Sequence, residues 1–592
     1  MHDLHRDSAS DQDVRAMLWP FIKPHRNALI FAVALNAFHG LALTFQNLTP
    51  KYLIDDVLLA PGLSATQRYQ RTAILGGAYL FGCIICRMLV WHWSMRIFTR
   101  IREGVVFGLR ATFFRHINHL CVRFHDRYNS GELFSYIFGS PLAQVQQYFQ
   151  QLAILGPGGV FALISSLIWV WRWDWLMTLI LLTAILSNVC LVQYVRRRVQ
   201  ALHKDFQFVE GNVSGHVADL IRGQRDVKLY AMEQQVIGQF EDQAQAIGRK
   251  SADRDIRAHM QIMQVEGMNY IFFVLLCAAG AWRYMHQLLT VGEIQGYLTS
   301  FIALQMPLNW LLQIATLRGG AQASLERLNV VLNTVSTTPD PVENVSPTLS
   351  RGDIVLRDLQ FAYQNEPTLR GINLRIPYGQ RIALVGPSGS GKTTLAQLIL
   401  RFYTPDAGEI RIAGCNIRDC RGADLRRVFG VVPQDPYFFR TTLRDNIRVA
   451  RPDADDAEIR RVCELANAWD FIAAMPAGLD TSVGEAGSTL SGGQKQRLAI
   501  ARALLNDPLY FIFDEATSAL DNISERLIQE SLDRVLQKHT AIFIAHRLAT
   551  VRTCDRILVV RRGEIVQDGT YNELVSQPGL FKTMVESDEL RV

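Results

Sequence analysis

A glycine-rich loop in the second half of the chain has the clearest chemical pattern. It matches the phosphate-binding consensus G-x-x-x-x-G-K-[ST] at every fixed position. The loop and the residue after it are Gly386, Pro387, Ser388, Gly389, Ser390, Gly391, Lys392, Thr393 and Thr394. Glycines let backbone N–H groups turn toward phosphates, Lys392 reaches the outer phosphates, and the Thr393 hydroxyl can ligate Mg²⁺. The motif therefore predicts a site for a nucleoside triphosphate, between a buried strand at 381–386 and a helix.

A pair of acidic residues follows a second apolar run, at 510–513. Asp514 is positioned to hold Mg²⁺, directly or through water, and Glu515 is the candidate to orient or deprotonate the attacking water. By itself, an apolar run that ends in Asp-Glu is more often a strand end with solvated charges. Downstream of a phosphate-binding loop, the same pair predicts nucleotide hydrolysis.

The segment LSGGQKQR, at 490–497, resembles the signature sequence of the nucleotide-binding domain of ABC transporters. In that family two such domains pair head to tail, and the signature of one closes over the ATP held by the other. The resemblance implies that Ser491, Gly492 and Gly493 bind the γ-phosphate of a partner's ATP, with Gln494 in the same ATP-binding set. A chain with one such domain must then dimerise to build two sites.

Other motifs of the family match single residues of this sequence. Tyr363 resembles the aromatic residue that stacks on adenine. Gln434 resembles the glutamine that contacts Mg²⁺ or water and reports to the membrane domain. Asp521 resembles an aspartate that acts across the dimer, and His546 resembles the histidine that holds the γ-phosphate. The resemblance therefore implies that Glu515, His546 and Gln434 are catalytic, and that Thr393, Gln434 and Asp514 bind the metal.

Two stretches depart from the family pattern. In the loop that contacts the membrane domain in this family, Ala486 stands where an arginine is common. The sequence therefore does not predict that contact for this chain. Arg440 and Thr441 replace a more usual serine and glycine and are expected to reshape only a surface turn. None of the hydrolytic positions is degenerate.

The first half of the chain is too apolar for an ordinary soluble enzyme. Of the 592 residues, 49% are hydrophobic, and the excess lies before about residue 340. Any one apolar stretch could be a buried helix of a soluble protein, whereas several together predict a membrane domain. Six stretches approach the ~20 residues that cross a bilayer, near 27–48, 73–95, 151–171, 175–195, 263–285 and 291–316.

Basic residues set the predicted orientation of these stretches. The connections after the second and fourth stretches are long and rich in Arg and Lys, whereas the opposite connections hold only a few cations, among them Arg68, Arg71 and Arg172. Both termini and the ATPase domain are therefore predicted in the cytoplasm. The net charge of +6 then reflects membrane topology, and no nucleic-acid partner is expected.

The expected fold class is an all-α transmembrane domain of six helices followed by an α/β P-loop ATPase domain. The chain resembles an exporter-type (type IV) ABC half-transporter, in which the two domains are fused. Two regions, about 123–137 and 215–234, resemble the coupling helices that contact the ATPase domain. The predicted divisions are an N-terminal elbow segment at 1–26, the membrane domain at 27–330, a Ser-, Thr- and Pro-rich linker at 331–353, and the ATPase domain at 354–592.

Several polar residues of the predicted spans are candidates for a substrate cavity. They are Asn36, His39, Gln46, Arg87, Glu266, Asn269, Gln305, Asn309 and Gln313. A place at the membrane interface is the alternative for Arg87 and Glu266. Pro307 is expected to kink the sixth span.

The N-terminus and the cysteines indicate no signal peptide, disulfide framework or metal site. The N-terminus lacks an early apolar core, so no cleaved signal peptide is expected. Nine cysteines are scattered along the chain and imply no disulfide framework. Cys83 and Cys86 form C-x-x-C within a predicted span, where they are expected to pack between helices and not to form a metal or redox site.

These patterns together predict an ATP-driven exporter or flippase with ATP and Mg²⁺ at two composite sites of a dimer. The expected substrate is amphipathic: a lipid, a lipid-linked glycan, a hydrophobic drug or a peptide. The expected partner is a second copy of the chain, and the expected location is the bacterial inner membrane, within the lipid bilayer. Two alternatives stay open, namely an importer on the same fold and an ATP-gated channel or regulator.

Overall fold

The structure of the chain is a computed structural model. It describes residues 18–82, 87–128, 130–341, 349–363, 366–484, 487–514, 532, 536, 539–545 and 547–587. The chain forms two compact units. The first comprises Met1–Asn118 and Ser130–Asn333, and the second comprises His119–Asn129 and Thr334–Val592.

Long helices build the first unit. In chain order, the helices up to residue 333 are α1 (Arg26–Leu53), α2 (Ala65–Leu80), α3 (Arg87–His119), α4 (Val122–Arg127), α5 (Ser130–Phe138), α6 (Ser140–Trp171), α7 (Trp175–Arg222), α8 (Gln224–Leu229), α9 (Glu233–Met285) and α10 (Val291–Leu332). With 53 residues, α9 is about 80 Å long at 1.5 Å per residue. It is therefore much longer than the bilayer is thick.

The helical character of the predicted membrane domain is confirmed. Five of the six predicted stretches lie within single helices, whereas 73–95 covers the end of α2 and the start of α3. Residues 83–86, with Cys83 and Cys86, lie outside the described part of the chain. Among the described residues, three segments are long and apolar enough to cross a bilayer: Leu18–Leu58, Gly131–Trp171 and Met263–Met285. Length and hydropathy alone therefore support fewer spans than the six predicted.

Capping side chains explain where two of these helices begin. The Thr290 hydroxyl accepts a hydrogen bond from the Glu293 N–H, and the Glu293 carboxylate accepts one from the Thr290 N–H, which caps α10. The Asp174 carboxylate accepts a 2.9 Å hydrogen bond from the Met177 N–H and caps α7. Each cap satisfies N–H groups that the first helical turn leaves without partners.

Polar side chains within the first unit bond across helices. The Asn188 amide donates to Asn269 Oδ1 at 2.8 Å, and the Asn269 amide donates to Gln305 Oε1 at 3.3 Å, which joins α7, α9 and α10. The Asn36 amide donates to the Ser94 hydroxyl at 2.6 Å. Three of the predicted cavity residues, Asn36, Asn269 and Gln305, therefore connect helices.

The second unit is built around two sheets. Its strands are β1 (Ile354–Ala362), β2 (Pro367–Ile376), β3 (Arg381–Val385), β4 (Ala407–Ile412), β5 (Cys415–Asn416), β6 (Phe429–Val432), β7 (Tyr510–Asp514), β8 (Thr540–Ile544), β9 (Arg556–Arg561) and β10 (Glu564–Gly569). Its further helices are α11 (Lys392–Ile399), α12 (Gly422–Arg427), α13 (Leu443–Arg448), α14 (Asp456–Leu465), α15 (Trp469–Ala473), α16 (Gly492–Leu505), α17 (Leu548–Arg552), α18 (Tyr571–Ser576) and α19 (Leu580–Glu586).

The larger sheet has the strand order β10-β9-β3-β8-β7-β6 and is parallel except for β10. Its inner strands are continuous apolar runs, as expected for parallel strands buried on both faces. Because side chains alternate along a strand, Phe511 and Phe513 enter one core while Tyr510 and Ile512 enter the other. The smaller sheet is antiparallel, with the order β2-β1-β4-β5.

The second unit also includes α4 and the chain after α10. Arg123 in α4 donates to the Ala362 carbonyl at 3.2 Å, and the Tyr403 phenol donates to the Asp126 carboxylate. Arg401 donates to the Asp340 carboxylate at 3.0 Å. The predicted first coupling region, 123–137, is thus divided between the units, with α4 in the second and α5 in the first.

Candidate functional site

The predicted phosphate-binding loop connects β3 to α11, as the motif requires. Gly386, Gly389 and Gly391 have φ values of +152°, +77° and +105°. A Cβ atom at Gly386 would lie 2.0 Å from the Val560 carbonyl oxygen. Glycine is therefore required there by both the backbone conformation and the space available.

The backbone oxygens of this loop bind the lysine that follows it. Lys392 is 5% exposed, and its ammonium donates to the Gly386 carbonyl at 2.8 Å and the Pro387 carbonyl at 3.0 Å. The Ser390 hydroxyl is buried and has no hydrogen-bond partner among the described residues. A glycine cradle with a lysine and a buried hydroxyl fits the phosphates of a nucleotide.

The remaining residues of the loop are accessible. Pro387, Ser388, Gly389 and Thr393 are exposed, whereas Thr394 is buried at the start of α11. An exposed Thr393 hydroxyl beside the lysine is in the position expected of a ligand for a phosphate-bound metal ion.

Tyr363 lies beside the first turns of α11. Its phenol donates to Gln397 Oε1 at 2.8 Å and is 3.2 Å from the Thr394 hydroxyl. The side chain is 41% exposed, so part of it is accessible to a ligand. This geometry suits the predicted stacking of Tyr363 on a base.

Asp514 and Gln434 lie at the same edge of the sheet as the loop. Asp514 ends β7, where it pairs with Ile544 of β8, and Gln434 follows β6 by two residues. Because β3, β6, β7 and β8 are parallel, their carboxyl ends share one edge, the edge where ligands bind in open α/β sheets.

Three predicted site residues lie outside the described part of the chain: Glu515, Asp521 and His546. Ala486, the predicted departure before the signature, also lies outside it. The other predicted departures, Arg440 and Thr441, are exposed, as expected for a surface turn.

The signature residues begin α16, a helix of 14 residues. The Ser491 hydroxyl accepts from the Gln494 N–H at 3.3 Å, and Gln494 Oε1 accepts from the Ser491 N–H at 2.9 Å. Ser491 and Gly492 are exposed, and Gly493 is half-buried. The start of α16 thus presents N–H groups and a partial positive charge at the surface, which suits an anion.

Two residues that the sequence did not single out support this site. Gln496 in α16 donates from its amide to the Gln434 carbonyl at 3.1 Å. Arg502, further along α16, donates to the Asn446 carbonyl at 2.9 Å and the Tyr437 carbonyl at 3.0 Å. Both hold the chain after β6 against α16. Gln496 is part of the signature segment, but no nearby sequence pattern indicates that it bonds to the distant Gln434.

Family models match both halves of the chain. The model of the ABC transporter matches residues 369–518, and that of the ABC transporter transmembrane region matches residues 29–308. The ATP-dependent lipid A-core flippase of Escherichia coli (strain K12) is 32% identical over 570 residues, which cover 95% of this chain and 96% of that protein.

Two further similarities extend over most of the chain. The uncharacterized ABC transporter ATP-binding protein YfiC of Bacillus subtilis (strain 168) is 32% identical over 505 residues, 85% of this chain and 83% of that protein. The solved structure of a bacterial Atm1-family ABC exporter with ATP bound has a TM-score of 0.84 and 27% identity, and the match covers 96% of this chain and 98% of that one.

Proposed function

The chain belongs to the ABC transporter family, as an ATP-driven exporter or flippase of amphipathic substrates, and we propose that it works as a homodimer in the bacterial inner membrane. The membrane-integral first unit and the ATP-binding second unit are fused in one chain, as in a half-transporter. Dimerisation follows from that organisation, whereas two identical chains are the simplest pair that completes it.

The conformation of the phosphate-binding loop carries the proposal. Three glycines with positive φ and the ammonium of Lys392, bound to two loop carbonyls, form a cradle for phosphates. In the proposed site, Pro387, Ser388 and Ser390 surround the phosphates with the glycines, while Thr394 supports the Tyr363 ring. That ring stacks on the adenine of ATP.

Metal binding is assigned to three oxygen-bearing side chains. Thr393, Asp514 and Gln434 supply hydroxyl, carboxylate and amide oxygens, which are suitable ligands for Mg²⁺. A bound Mg²⁺ would neutralise charge on the phosphate oxygens. The site fits such an ion because Asp514 ends β7, while Gln434 and Thr393 follow β6 and β3, so all three residues lie at the carboxyl ends of parallel strands.

Hydrolysis is assigned to residues at the same ends of two strands. Glu515 follows Asp514 of β7 and His546 follows Ala545, next to β8. In the proposed mechanism Glu515 orients or deprotonates the attacking water, and His546 holds the γ-phosphate. Asp521 is proposed to act across the dimer.

The partner's signature completes each proposed ATP site. The exposed start of α16 offers Ser491, Gly492, Gly493 and Gln494 to the γ-phosphate held by the other copy. The Ser491 hydroxyl accepts a hydrogen bond from the Gln494 N–H at this end of the helix. A phosphate oxygen could replace the hydroxyl as the acceptor for that N–H group. Two such exchanges, one at each site, would link ATP binding to closure of the dimer.

A second exposed surface suits the same partner. Helix α8, within the predicted coupling region 215–234, ends with Leu229 and is followed by Tyr230, which are 71% and 69% exposed. Two adjacent exposed apolar side chains at the end of this helix give the proposed coupling helix an apolar surface for a contact. We assign α8 as the second coupling helix and α4 as the first, with the linker at 331–353 and the ATPase domain from residue 354.

The proposed substrate is a lipid with a polar headgroup. The flippase of Escherichia coli named above acts on a lipid, by its name. In the first unit, a cavity of about 210 Å³ is lined by apolar residues with Gln46, Asn47 and Ser166, beside Pro307 and Trp310. A cavity of this size holds part of an amphipathic molecule. Its mixed lining suits the boundary between a headgroup and an acyl chain.

Reconstitution into lipid vesicles tests this function directly. The purified chain would be given Mg²⁺ and ATP, and movement of fluorescent lipids with different headgroups between leaflets would be followed, with Glu515→Gln as the inactive control. We expect one headgroup class to move outward at a rate that depends on ATP and to stimulate hydrolysis. Inward movement would instead establish an importer, and hydrolysis without movement of any lipid would favour a drug or peptide substrate, or a regulator.

A further inference from the structure

Three aromatic rings form a cluster that extends from Tyr363 toward α4. Phe361, Tyr363 and Tyr403 contact one another with ring centroids separated by 5.0, 5.3 and 5.5 Å. Tyr363 meets both of its neighbours edge to face, at interplanar angles of 83° and 86°. Such geometry is favourable because the positive edge of one ring faces the negative face of the other. The two neighbouring rings therefore help to fix the orientation of Tyr363.

Tyr403 connects this cluster to α4. The Tyr403 side chain is 4% exposed, and its phenol donates a hydrogen bond to the Asp126 carboxylate of α4. Burial and the adjacent carboxylate raise the pKa of Tyr403. The phenol thus keeps its proton at neutral pH and remains a donor to α4.

Arg123, one helical turn before Asp126 in α4, contacts the same aromatic cluster. Its guanidinium lies 5.6 Å from the Phe361 ring centroid and 5.9 Å from that of Tyr403, within the range of cation–π attraction. It also donates to the carbonyl of Ala362, the residue before Tyr363, at 3.2 Å. Through Arg123 and Asp126, α4 contacts both the support of the Tyr363 ring and the backbone that leads to it.

The opposite end of Tyr363 is bound to the helix after the phosphate-binding loop. Its hydroxyl lies within hydrogen-bonding distance of Gln397 and Thr394 of α11. Tyr363 thus stands between α11, which begins at the phosphate site, and the pair of residues that α4 holds.

We propose that Tyr403 is a positioning residue that makes the orientation of the Tyr363 ring, and with it the affinity for ATP, depend on the binding of α4. The proposal rests on the proposed stacking of Tyr363 on adenine. When α4 is bound, Arg123 and Asp126 hold Tyr403 and Phe361, and the Tyr363 ring is already aligned for the base. By linkage, ATP that stacks on Tyr363 strengthens the binding of α4 by the same factor.

Helix α4 is well placed to influence the Tyr363 ring, because it belongs to one unit and is connected along the chain to the other. Helix α4 is part of the second unit, yet its sequence neighbours α3 and α5 belong to the first. A movement of those two helices would pull on α4. The adenine end of the nucleotide site therefore responds to α4.

The test compares Tyr403→Phe with the native full-length protein in lipid nanodiscs. This variant keeps the ring and removes only the hydroxyl, so the hydrogen bond to Asp126 is lost. We expect the KM for ATP to rise about 3- to 10-fold, as for the loss of one hydrogen bond of ordinary strength, with kcat little changed. Asp126→Asn, on α4 itself, should raise the KM in the same direction.

A second background separates positioning from general stability. In a Tyr363→Ala chain, Tyr403→Phe should cause no further rise in KM, because the ring through which it acts is gone. Tyr510→Phe is the matched control, since Tyr510 is also buried and its phenol donates to the Gly352 carbonyl at 2.8 Å. It should leave the KM for ATP unchanged.

Each alternative result has a distinct meaning. If Tyr363→Ala raises the KM and Tyr403→Phe does not, the positioning role is wrong while the stacking role of Tyr363 stands. An equal rise from Tyr403→Phe in both backgrounds also overturns the positioning role, because the effect then bypasses Tyr363. If Tyr363→Ala leaves the KM unchanged, the proposed stacking itself is wrong and the inference falls with it.

Discussion

Gln496 donates a hydrogen bond from its side-chain amide to the main-chain carbonyl of Gln434, with 3.1 Å between the nitrogen and the oxygen. Gln496 lies in α16, the helix that begins at the signature, and Gln434 follows β6. The bond joins the element proposed to contact the partner's ATP to a residue proposed to bind Mg²⁺ in its own site. Any shift of α16 is therefore transmitted to the position of Gln434.

We expect Gln496→Met to lower ATP turnover more than stability. Methionine keeps the length of the side chain but cannot donate to the Gln434 carbonyl, so Gln434 loses its connection to α16. Losing one such bond costs about 1 kcal/mol, which corresponds to a roughly fivefold lower kcat if the bond matters in the transition state. ATPase assays and thermal unfolding of both proteins measure the two effects.

The matched control for that variant is Gln577→Met, at an exposed position after α18. It makes the same chemical change away from the site and should leave kcat unchanged. A Gln496→Met protein with native turnover would show that Gln434 is positioned without the Gln496 hydrogen bond.

Glu515→Gln should bind ATP but hydrolyse it at least ~10² times more slowly, because the amide cannot accept the proton of the attacking water. The phosphate-binding loop is unchanged in this variant, so nucleotide affinity is retained. Bound nucleotide after gel filtration and ATPase activity are the two measurements. Glu564→Gln, at an exposed position of β10, is the control, and near-normal turnover in Glu515→Gln would rule out the assigned role.

The sequence predicted the phosphate-binding loop and the signature helix well, because their motifs consist of residues that are close together in the chain. The run Arg381–Val385 is apolar enough to predict a buried strand, and it is β3. Glycines before Lys392 predicted a loop that turns its backbone N–H groups toward phosphates, and three of them have a positive φ, which glycine adopts readily. Ser491 and Gln494 have the spacing of a capping box, and the two reciprocal hydrogen bonds are present. Each of these features depends on residues that are close in sequence.

Contacts between distant parts of the chain were beyond sequence reasoning. Tyr403 and Asp126 are 277 residues apart, and neither has a local pattern that indicates the other. The region 123–137 was predicted as one coupling region, but its two helices fall in different units. The number of membrane spans is similarly difficult to predict, because long helices such as α9 combine apolar and charged sections.

Arg401→Lys should destabilise the second unit. The Arg401 guanidinium is buried and donates to the Cys420 carbonyl at 2.5 Å, to the Asp340 carboxylate at 3.0 Å and to the Pro339 carbonyl. An ammonium group cannot reach all three acceptors from one position. We expect a loss of about 2 kcal/mol in the free energy of unfolding and faster proteolysis near Pro339, measured by denaturant unfolding and limited digestion with a protease of broad specificity.

Arg562→Lys is the control for this effect. Arg562 has a φ of +50°, close to the +56° of Arg401, but its side chain is exposed. The control thus repeats the substitution on the same backbone conformation without the buried bonds. Equal stability of Arg401→Lys and Arg562→Lys would show that Arg401 does not anchor the chain at Pro339 and Asp340.

Tyr510 should make stability decrease at high pH. Burial raises the pKa of Tyr510 to about 12, above the value of about 10 for an exposed tyrosine. A raised pKa means that the folded state favours the protonated phenol, so this contribution is complete below pH ~10 and is lost as the pH rises toward 12. The free energy of unfolding, measured between pH 9 and 12, should decrease less steeply with pH for Tyr510→Phe than for the native protein. An equal decrease in both proteins would contradict this.

The head-to-tail arrangement predicts complementation between two inactive chains. Lys392→Ala removes the phosphate-binding ammonium, and Ser491→Arg places a bulky side chain at the start of α16, so each homodimer has two defective sites. In a mixed dimer, the native loop of the Ser491→Arg chain meets the native signature of the Lys392→Ala chain. One composite site is then intact, while both defects fall in the other.

We therefore expect the mixed dimer to recover ATPase activity, up to about half of the native value if the sites work independently. Two affinity tags, one on each chain, allow the mixed dimer to be purified and assayed beside both homodimers. If each site were built within a single chain, every site in the mixture would contain one defect and no activity would return. That result would overturn the arrangement, because the signature would then serve the ATP site of its own chain.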